Sequence, residues 1–318
     1  MRLGAEEVLG GFSNVIDSGG YQSGGLDNLC VVLTDHRVFC RGSNTRGELG
    51  DGTRTASTTF VEVMGGVSAT HVAVGQQSVC AIQVDQSVRC WGTNAQGQLG
   101  IGDLMVADSP TPMIVPGLTN VVGLSVKNYT YCALRADGSV ACWGDNFQGT
   151  VGNGSASTVE PAPVDLSLAG IAGVAMGQGH ACAASSSGVA YCWGAGVTGE
   201  LGDGLAMNSR SPVMVSGLVD AIDVAAGSQF SCALRATGEV MCWGRDGFGQ
   251  QGNGPGVVDS FVPTPVNILT NAVEIGAGLD HVCVRLTTGE LSCWGRNLAR
   301  VVHDSTVNNY HEPITYVF

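Results

Sequence analysis

The chain is poor in charge and poorer still in basic residues. Asp, Glu, Lys and Arg make up 13% of its 318 residues, about half the usual share. Lys and Arg number 14 against 27 acidic residues, for a net charge of −13. Basic residues so few and so scattered make no patch for a phosphate backbone or an anionic membrane, so nucleic acid is not an expected partner. No apolar run reaches the roughly 18 residues of a membrane span, so direct membrane insertion is not expected either. Residues 1–20 lack a basic start followed by an apolar run; with no signal-peptide pattern visible, a secreted chain is expected to be a mature or excised segment, either standing alone or as part of a longer surface protein. No stretch holds a 3.6-residue apolar period, which argues against a helical repeat. Hydrophobic residues stand at 44%, too many for a disordered chain and enough for a packed core.

Glycine and cysteine are abundant, and both are in register. The 48 Gly are about twice the usual share, pointing to tight turns and short strands. The 12 cysteines fall at Cys30, Cys40, Cys80, Cys90, Cys132, Cys142, Cys182, Cys192, Cys232, Cys242, Cys283 and Cys293, in six pairs spaced by ten. Each second cysteine opens Cys-Trp-Gly, except Cys40-Arg41-Gly42, and all five tryptophans are used there. A Gly-rich turn follows, as in TNAQGQLGIG (93–102) and AGVTGELGDG (195–204), then a Pro/Val segment such as EPAPVDLSL. Each copy restarts with an apolar stretch ending in Gly, such as HVAVG (71–75).

Each unit of about 50 residues therefore reads as four short strands, A to D, with Pro on an outer strand D. That is the signature of a β-propeller blade. A solenoid is the competitor, but the copies lack dedicated polar caps at the two ends. The expected fold is all-β: one propeller over residues 1–318, with six four-stranded repeats across about 13–318. AEEVLGGFSNV (5–15) resembles the end of strand D and the start of strand A, and HEPITYVF at the end also resembles strand D; the ends overlap in the repeat, so a closed six-bladed ring is expected, with seven blades, an open arc or a ring completed by another segment as the alternatives.

Trp91-Gly92-Thr93-Asn94-Ala95-Gln96-Gly97-Gln98-Leu99-Gly100 and the Ala-Gly-x-x-x-x-Cys-Ala-Leu runs resemble the regulator of chromosome condensation repeat family across nearly the whole chain. The resemblance implies a propeller, usually of seven blades. It implies no single function: members exchange nucleotide on a small GTPase, sense UV-B light, or inhibit a β-lactamase through aromatics in the loop after Ala-Gly, where Tyr129 and Phe230 are the matching residues. The acidity, the missing basic tail and the cysteine pairs weigh against the exchange-factor reading.

The ten-residue spacing has a geometric reading. Centring the third copy on Asp137 pairs Leu134 with Val140 and Cys132 with Cys142 around the loop Ala136-Asp137-Gly138. Gly138, Gly188, Gly238 and Gly289 stand where a three-residue hairpin needs a left-handed residue; His36 and Gln86 replace it in the first two copies, whose hairpins are expected to differ. Opposed cysteines at a non-hydrogen-bonded pair come within disulfide range. Six cross-strand disulfides, six pairs of reduced buried thiols, and metal ligation are the three readings. Cys-x-x-Cys spacing is absent, and pairs complete in all six copies favour the disulfides, hence an extracellular, cell-surface or periplasmic location.

No catalytic constellation emerges, so no enzyme, metal or cofactor is expected. The six histidines do not follow the repeat; His180 and His281 precede a cysteine where the family often has His. GELGDG lacks the Lys-Ser/Thr and helix of a phosphate loop, and Asp51, Asn153, Asp203 and Asn253 offer one side chain per turn where Ca²⁺ wants six to eight oxygens. With strands running A to D outward, the A–B and C–D loops share one face. Their variable residues are the binding candidates: Tyr21 (with Gln22), Gln77, Tyr129, Gln178, Phe230 and Asp280 in A–B loops, Phe147 and Phe248 in C–D loops, with Leu298-Ala299 in the last. Tyr129, Phe147, Phe230 and Phe248 are expected as exposed aromatics for a protein partner. A glycan bound by an adhesin domain on the same face, or nucleotide exchange on a small GTPase, is the alternative.

Overall fold

The structure is a computed structural model and describes residues 12, 14–21, 27–256, 258–297 and 308–316. Among them there is no helix, and so none long and apolar enough to cross a membrane. The fold is an all-β propeller of six four-stranded antiparallel blades. The chain divides into two compact units, Met1–Phe147 with Ser157–Leu166, and Gln148–Ala156 with Ser167–Phe318.

In the first unit, blade 1 is β1 (Val15–Tyr21), β2 (Asn28–Leu33), β3 (Val38–Gly42) and β4 (Ser57–Glu62). Blade 2 is β5 (Ala69–Gly75), β6 (Ser78–Gln83), β7 (Val88–Thr93) and β8 (Asp108–Ile114). Blade 3 is β9 (Val121–Lys127), β10 (Thr130–Arg135), β11 (Val140–Asp145) and β12 (Val159–Asp165). In the second unit, blade 4 is β13 (Ile171–Met176), β14 (His180–Ser185), β15 (Ala190–Gly194) and β16 (Ser209–Met214). Blade 5 is β17 (Ala221–Ala226), β18 (Phe230–Arg235), β19 (Val240–Gly244) and β20 (Ser260–Pro265). Blade 6 is β21 (Ala272–Ala277), β22 (His281–Leu286), β23 (Leu291–Arg296) and β24 (Asn309–Tyr316). Strands pair in chain order within every blade. Prolines fall on the outer strand of five blades, as at Pro110, Pro161, Pro212, Pro263 and Pro313, where an absent N–H breaks no ladder. HEPITYVF supplies most of β24, as expected; AEEVLGGFSNV falls mostly outside the described residues.

The core lies between neighbouring blades. Cys30, Val32 and Cys40 pack with Val72, Val79 and Trp91 of blade 2, while Cys80 and Ile82 pack the other way, onto Tyr131 and Trp143 of blade 3. The second unit repeats this from blade 4 to blade 5 and from blade 5 to blade 6. Successive residues of a strand point to opposite faces, so one blade feeds two apolar layers and its second strand reads as a continuous apolar run.

All twelve cysteines are paired as Cys30–Cys40, Cys80–Cys90, Cys132–Cys142, Cys182–Cys192, Cys232–Cys242 and Cys283–Cys293, with Cα–Cα 4.1 Å in each. Leu134 faces Val140 and Cys132 faces Cys142, the register expected from the spacing. The first two hairpins do not differ, contrary to expectation: His36 and Gln86 have φ of 67° and 64°, close to 79° at Gly138. The next blade holds this residue whatever its type: the Ala69 and Val121 N–H groups donate to the His36 and Gln86 carbonyls at 2.8 and 3.0 Å, as those of Ala221 and Ala272 do to Gly188 and Gly238, so the left-handed cost of a non-Gly residue is borne without a change of hairpin.

Each tryptophan ties its blade to the turn of the one before. The indole Nε1–H of Trp91 donates to the Glu48 carbonyl at 2.9 Å, that of Trp143 to Gln98 at 3.0 Å, and those of Trp193, Trp243 and Trp294 to Thr150, Glu200 and Gln250 at 2.8 Å. The turn glycine beneath the indole is required sterically: a Cβ on Gly50 would stand 2.8 Å from Trp91 Nε1.

Candidate functional site

One backbone contact sets the loop face. The residue after Cys-Trp-Gly donates its N–H to the apex carbonyl of the A–B loop: Thr93 to Gln77, Ala195 to Gly179, Arg245 to Gln229 and Arg296 to Asp280 at 2.8 Å, and Asp145 to Tyr129 at 3.2 Å. The two loop sets therefore stand side by side in blades 2 to 6, as expected. What covers this face depends on residues the repeat leaves free.

In the first unit the structure brings Tyr21 and Tyr129 together. The Tyr21 hydroxyl lies 3.3 Å from both Gln76 Oε1 and Asn128 Oδ1, and the Gln76 N–H donates to the Asn128 carbonyl at 2.7 Å. Both phenols are pushed above their usual range: Tyr21 by burial and then by Tyr129, Tyr129 by burial and then by the Asp145 carboxylate. Asp145 is itself raised by burial. Gln77 is exposed at the blade 2 apex in a left-handed conformation, φ 58°. Phe147 is 69% exposed, a bare ring on a loop tip as expected.

Lys127, the chain's one lysine, ends β9 in the same region. It is half-buried, burial lowers its pKa, and it has no ion-pair partner among the described residues. Blade 1 carries Tyr21 at this place, and blades 2, 4, 5 and 6 carry Gly75, Gly177, Gly227 and Gly278. A Cβ at the last three would run into the rings of His180, Phe230 and His281. Blade 3 has the small Thr130 there instead, which leaves room for a long side chain.

The second unit corrects two expectations. Phe230 is not a loop-tip aromatic: it opens β18 and is fully buried. It stands two residues before its cysteine, as His180 does, whereas Tyr129 stands three before; Gln229 is the true counterpart of Tyr129. Phe248 is on the loop face but its ring is covered. The Arg296 guanidinium lies 4.5 Å and the Arg245 guanidinium 5.6 Å from its centroid. Arg245 donates to Gln229 Oε1 at 2.6 Å, and Arg296 pairs with Asp280 at 3.2 Å. Gln178 is exposed, and its Oε1 accepts from the Ser228 hydroxyl at 2.5 Å. Gln22, Leu298 and Ala299 lie outside the described residues.

Arg245, Arg296, Asp145 and Lys127 were not among the residues singled out from sequence. Strict alignment of the copies signals them: the place after Cys-Trp-Gly holds Thr93, Asp145, Ala195, Arg245 and Arg296, variable in type but fixed in position by the backbone bond above. Among the described residues no three His, Cys, Asp or Glu side chains gather as a metal site. His180 is buried against Ser231, Nε2 to Oγ 2.9 Å, and burial takes its pKa down to about 4; it is a core residue, remote in kind from a solvent-facing acid or base.

Comparison with known proteins agrees with this architecture. Two models of the regulator of chromosome condensation (RCC1) repeat match residues 121–150, 221–250 and 272–298, and residues 35–82 and 187–234, together just over half of the chain. No curated protein matches the chain by sequence. Among solved structures, human WBSCR16 superposes with a TM-score of 0.83 at 20% identity, over 96% of this chain and 83% of that one. Yeast RCC1 (Prp20) bound to Kap60 gives 0.78 at 20% identity, over 92% and 74%. Prp20p of Saccharomyces cerevisiae, described with its binding properties to Gsp1p and histones, gives 0.73 at 20% identity, over 92% and 76%. At this identity the likeness is one of fold.

Proposed function

The chain belongs to the regulator of chromosome condensation (RCC1) repeat family, and from that premise we propose that it is a non-enzymatic recognition propeller that binds a protein through its A–B and C–D loops, outside the reducing cytosol. The observation that carries this reading is Phe147, 69% exposed on a face that also holds Tyr129, at a loop position where the repeat demands no packing. Large rings bare among polar neighbours are the usual anchors of protein interfaces. Protein binding is described for one relative of this fold in two structures: yeast RCC1 (Prp20), bound to Kap60 in one and described with its binding to Gsp1p and histones in the other. Six disulfides support the compartment: extracellular, cell surface or periplasm.

The test is capture of partners from cell-surface and culture-medium fractions by the immobilised protein. Binding lost in Tyr129→Ala and Phe147→Ala, with unfolding midpoints unchanged, supports the face; equal binding in both variants overturns it. A thiol count on the unfolded, unreduced protein tests the compartment, with no free thiols expected and twelve overturning it. The Gln76 and Asn128 amides beside Tyr21 favour a glycan as the second reading, since sugars pair ring stacking with amide hydrogen bonds; hits on a glycan array would move the assignment there.

A further inference from the structure

Building on the reading that this face binds a protein, we propose that Arg245, Phe248 and Arg296 form a receptor for the carboxylate of an Asp or Glu side chain on the partner. The two arginines occupy the same repeat place in blades 5 and 6, the place after Cys-Trp-Gly, where blades 2, 3 and 4 carry Thr93, Asp145 and Ala195. Nothing in the blade calls for arginine there. Both guanidiniums converge on one ring, 4.5 and 5.6 Å from the Phe248 centroid.

A guanidinium over an aromatic ring spends its face on the ring and keeps its in-plane N–H groups for hydrogen bonds. Arg245 uses one of these on Gln229 Oε1 at 2.6 Å, and it has no carboxylate partner among the described residues. Its remaining donors form the planar fork that matches the two oxygens of a carboxylate. Gly247 leaves Arg245 room: a Cβ there would stand 3.3 Å from Arg245 Nε, and the tips of the other described loops are Thr45, Ala95, Phe147 and Val197. Asp280 balances Arg296 at 3.2 Å, so the cluster keeps one unbalanced positive charge in a chain of net charge −13. Leu279, next in sequence to the Asp280 that pairs with Arg296, is 53% accessible, so the same loop offers apolar surface that a protein partner covers and a free ion does not.

The site is tested on the disulfide-intact chain by the arginine Nε–Hε resonances, titrating N-acetyl-glutamate methylamide and its glutamine counterpart. The Arg245 signal, assigned by its loss in Arg245→Gln, is expected to shift saturably with the glutamate compound and at least about tenfold more weakly with the glutamine one. Arg296→Lys keeps the charge but loses the planar stack, and is expected to weaken binding about tenfold with the unfolding midpoint unchanged. No saturable shift, an equal response to glutamine, or a response to inorganic phosphate alone overturns the assignment. The two readings fail separately, because protein recognition is read by partner capture at Tyr129 and Phe147, and the carboxylate site by Arg245 with no partner present.

Discussion

Tyr129 and Phe230 are both aromatic residues just ahead of the first cysteine of their repeat, yet one is at the loop face and the other is in the core. Tyr129 stands three residues before Cys132 and its carbonyl meets the end of the adjoining strand. Phe230 stands two residues before Cys232, already paired with Gly244 inside the ladder, and is fully buried. One residue of offset moves a side chain from a loop tip into the layer between two blades. An aromatic residue in a variable position is thus no evidence of an interface until its repeat register is known.

The sharpest way to break this comparison is truncation. Phe230→Ala is expected to cost about 3–5 kcal/mol through lost burial and the cavity left behind, whereas Phe147→Ala, which removes a bare ring, stays within about 0.5 kcal/mol. Urea unfolding under non-reducing conditions reads both, and similar losses would erase the distinction between the two places.

The next effect is in pH, because His180 occupies the Phe230 place one blade earlier. Folded His180 accepts a proton only near pH 4, against an ordinary value of 6.5 when unfolded. Between these values the unfolded chain binds more protons, so stability is full above about pH 6.5 and falls as pH drops towards 4. At 1.36 kcal/mol per unit the loss totals about 3 kcal/mol across the window. His180→Phe, which copies blade 5 and already has Gly177 beneath the ring, should flatten that stretch of the stability profile; an unchanged slope would assign it to other groups.

Removing one bridge is expected to be comparable or slightly smaller. Cys132→Ala with Cys142→Ala opens a loop of about ten residues, worth about 2.5–3 kcal/mol in the chain-entropy model, and thermal unfolding at fixed pH measures it. Smaller than the loss of a bridge is the effect of Tyr129→Ala, which should leave the unfolding midpoint nearly in place while abolishing partner capture.

Much of the blade was legible because its signals are local. Ten-residue cysteine spacing places Cys132 opposite Cys142, a turn residue at Gly138 sets the hairpin, and Pro110 or Pro161 marks an outer strand. The hairpins at His36 and Gln86 were misjudged because their left-handed residues are held by Ala69 and Val121 of the following blade, which lie more than 30 residues away. Phe248 was misjudged for a related reason. Its cover comes from Arg245 in its own blade and Arg296 in the next, and no short window contains both.

Chain order alone therefore accounts for the repeat, the strand register and the six cysteine pairs, since each follows from spacing, turn chemistry and period-two alternation within about 50 residues. The tertiary structure decided which variable residues face solvent: Phe147 bare, Phe248 stacked under two guanidiniums, Phe230 buried, Lys127 admitted where blades 2, 4, 5 and 6 keep glycine. Those outcomes depend on side chains contributed by neighbouring strands and blades, whose shapes and charges meet only once the blades are packed.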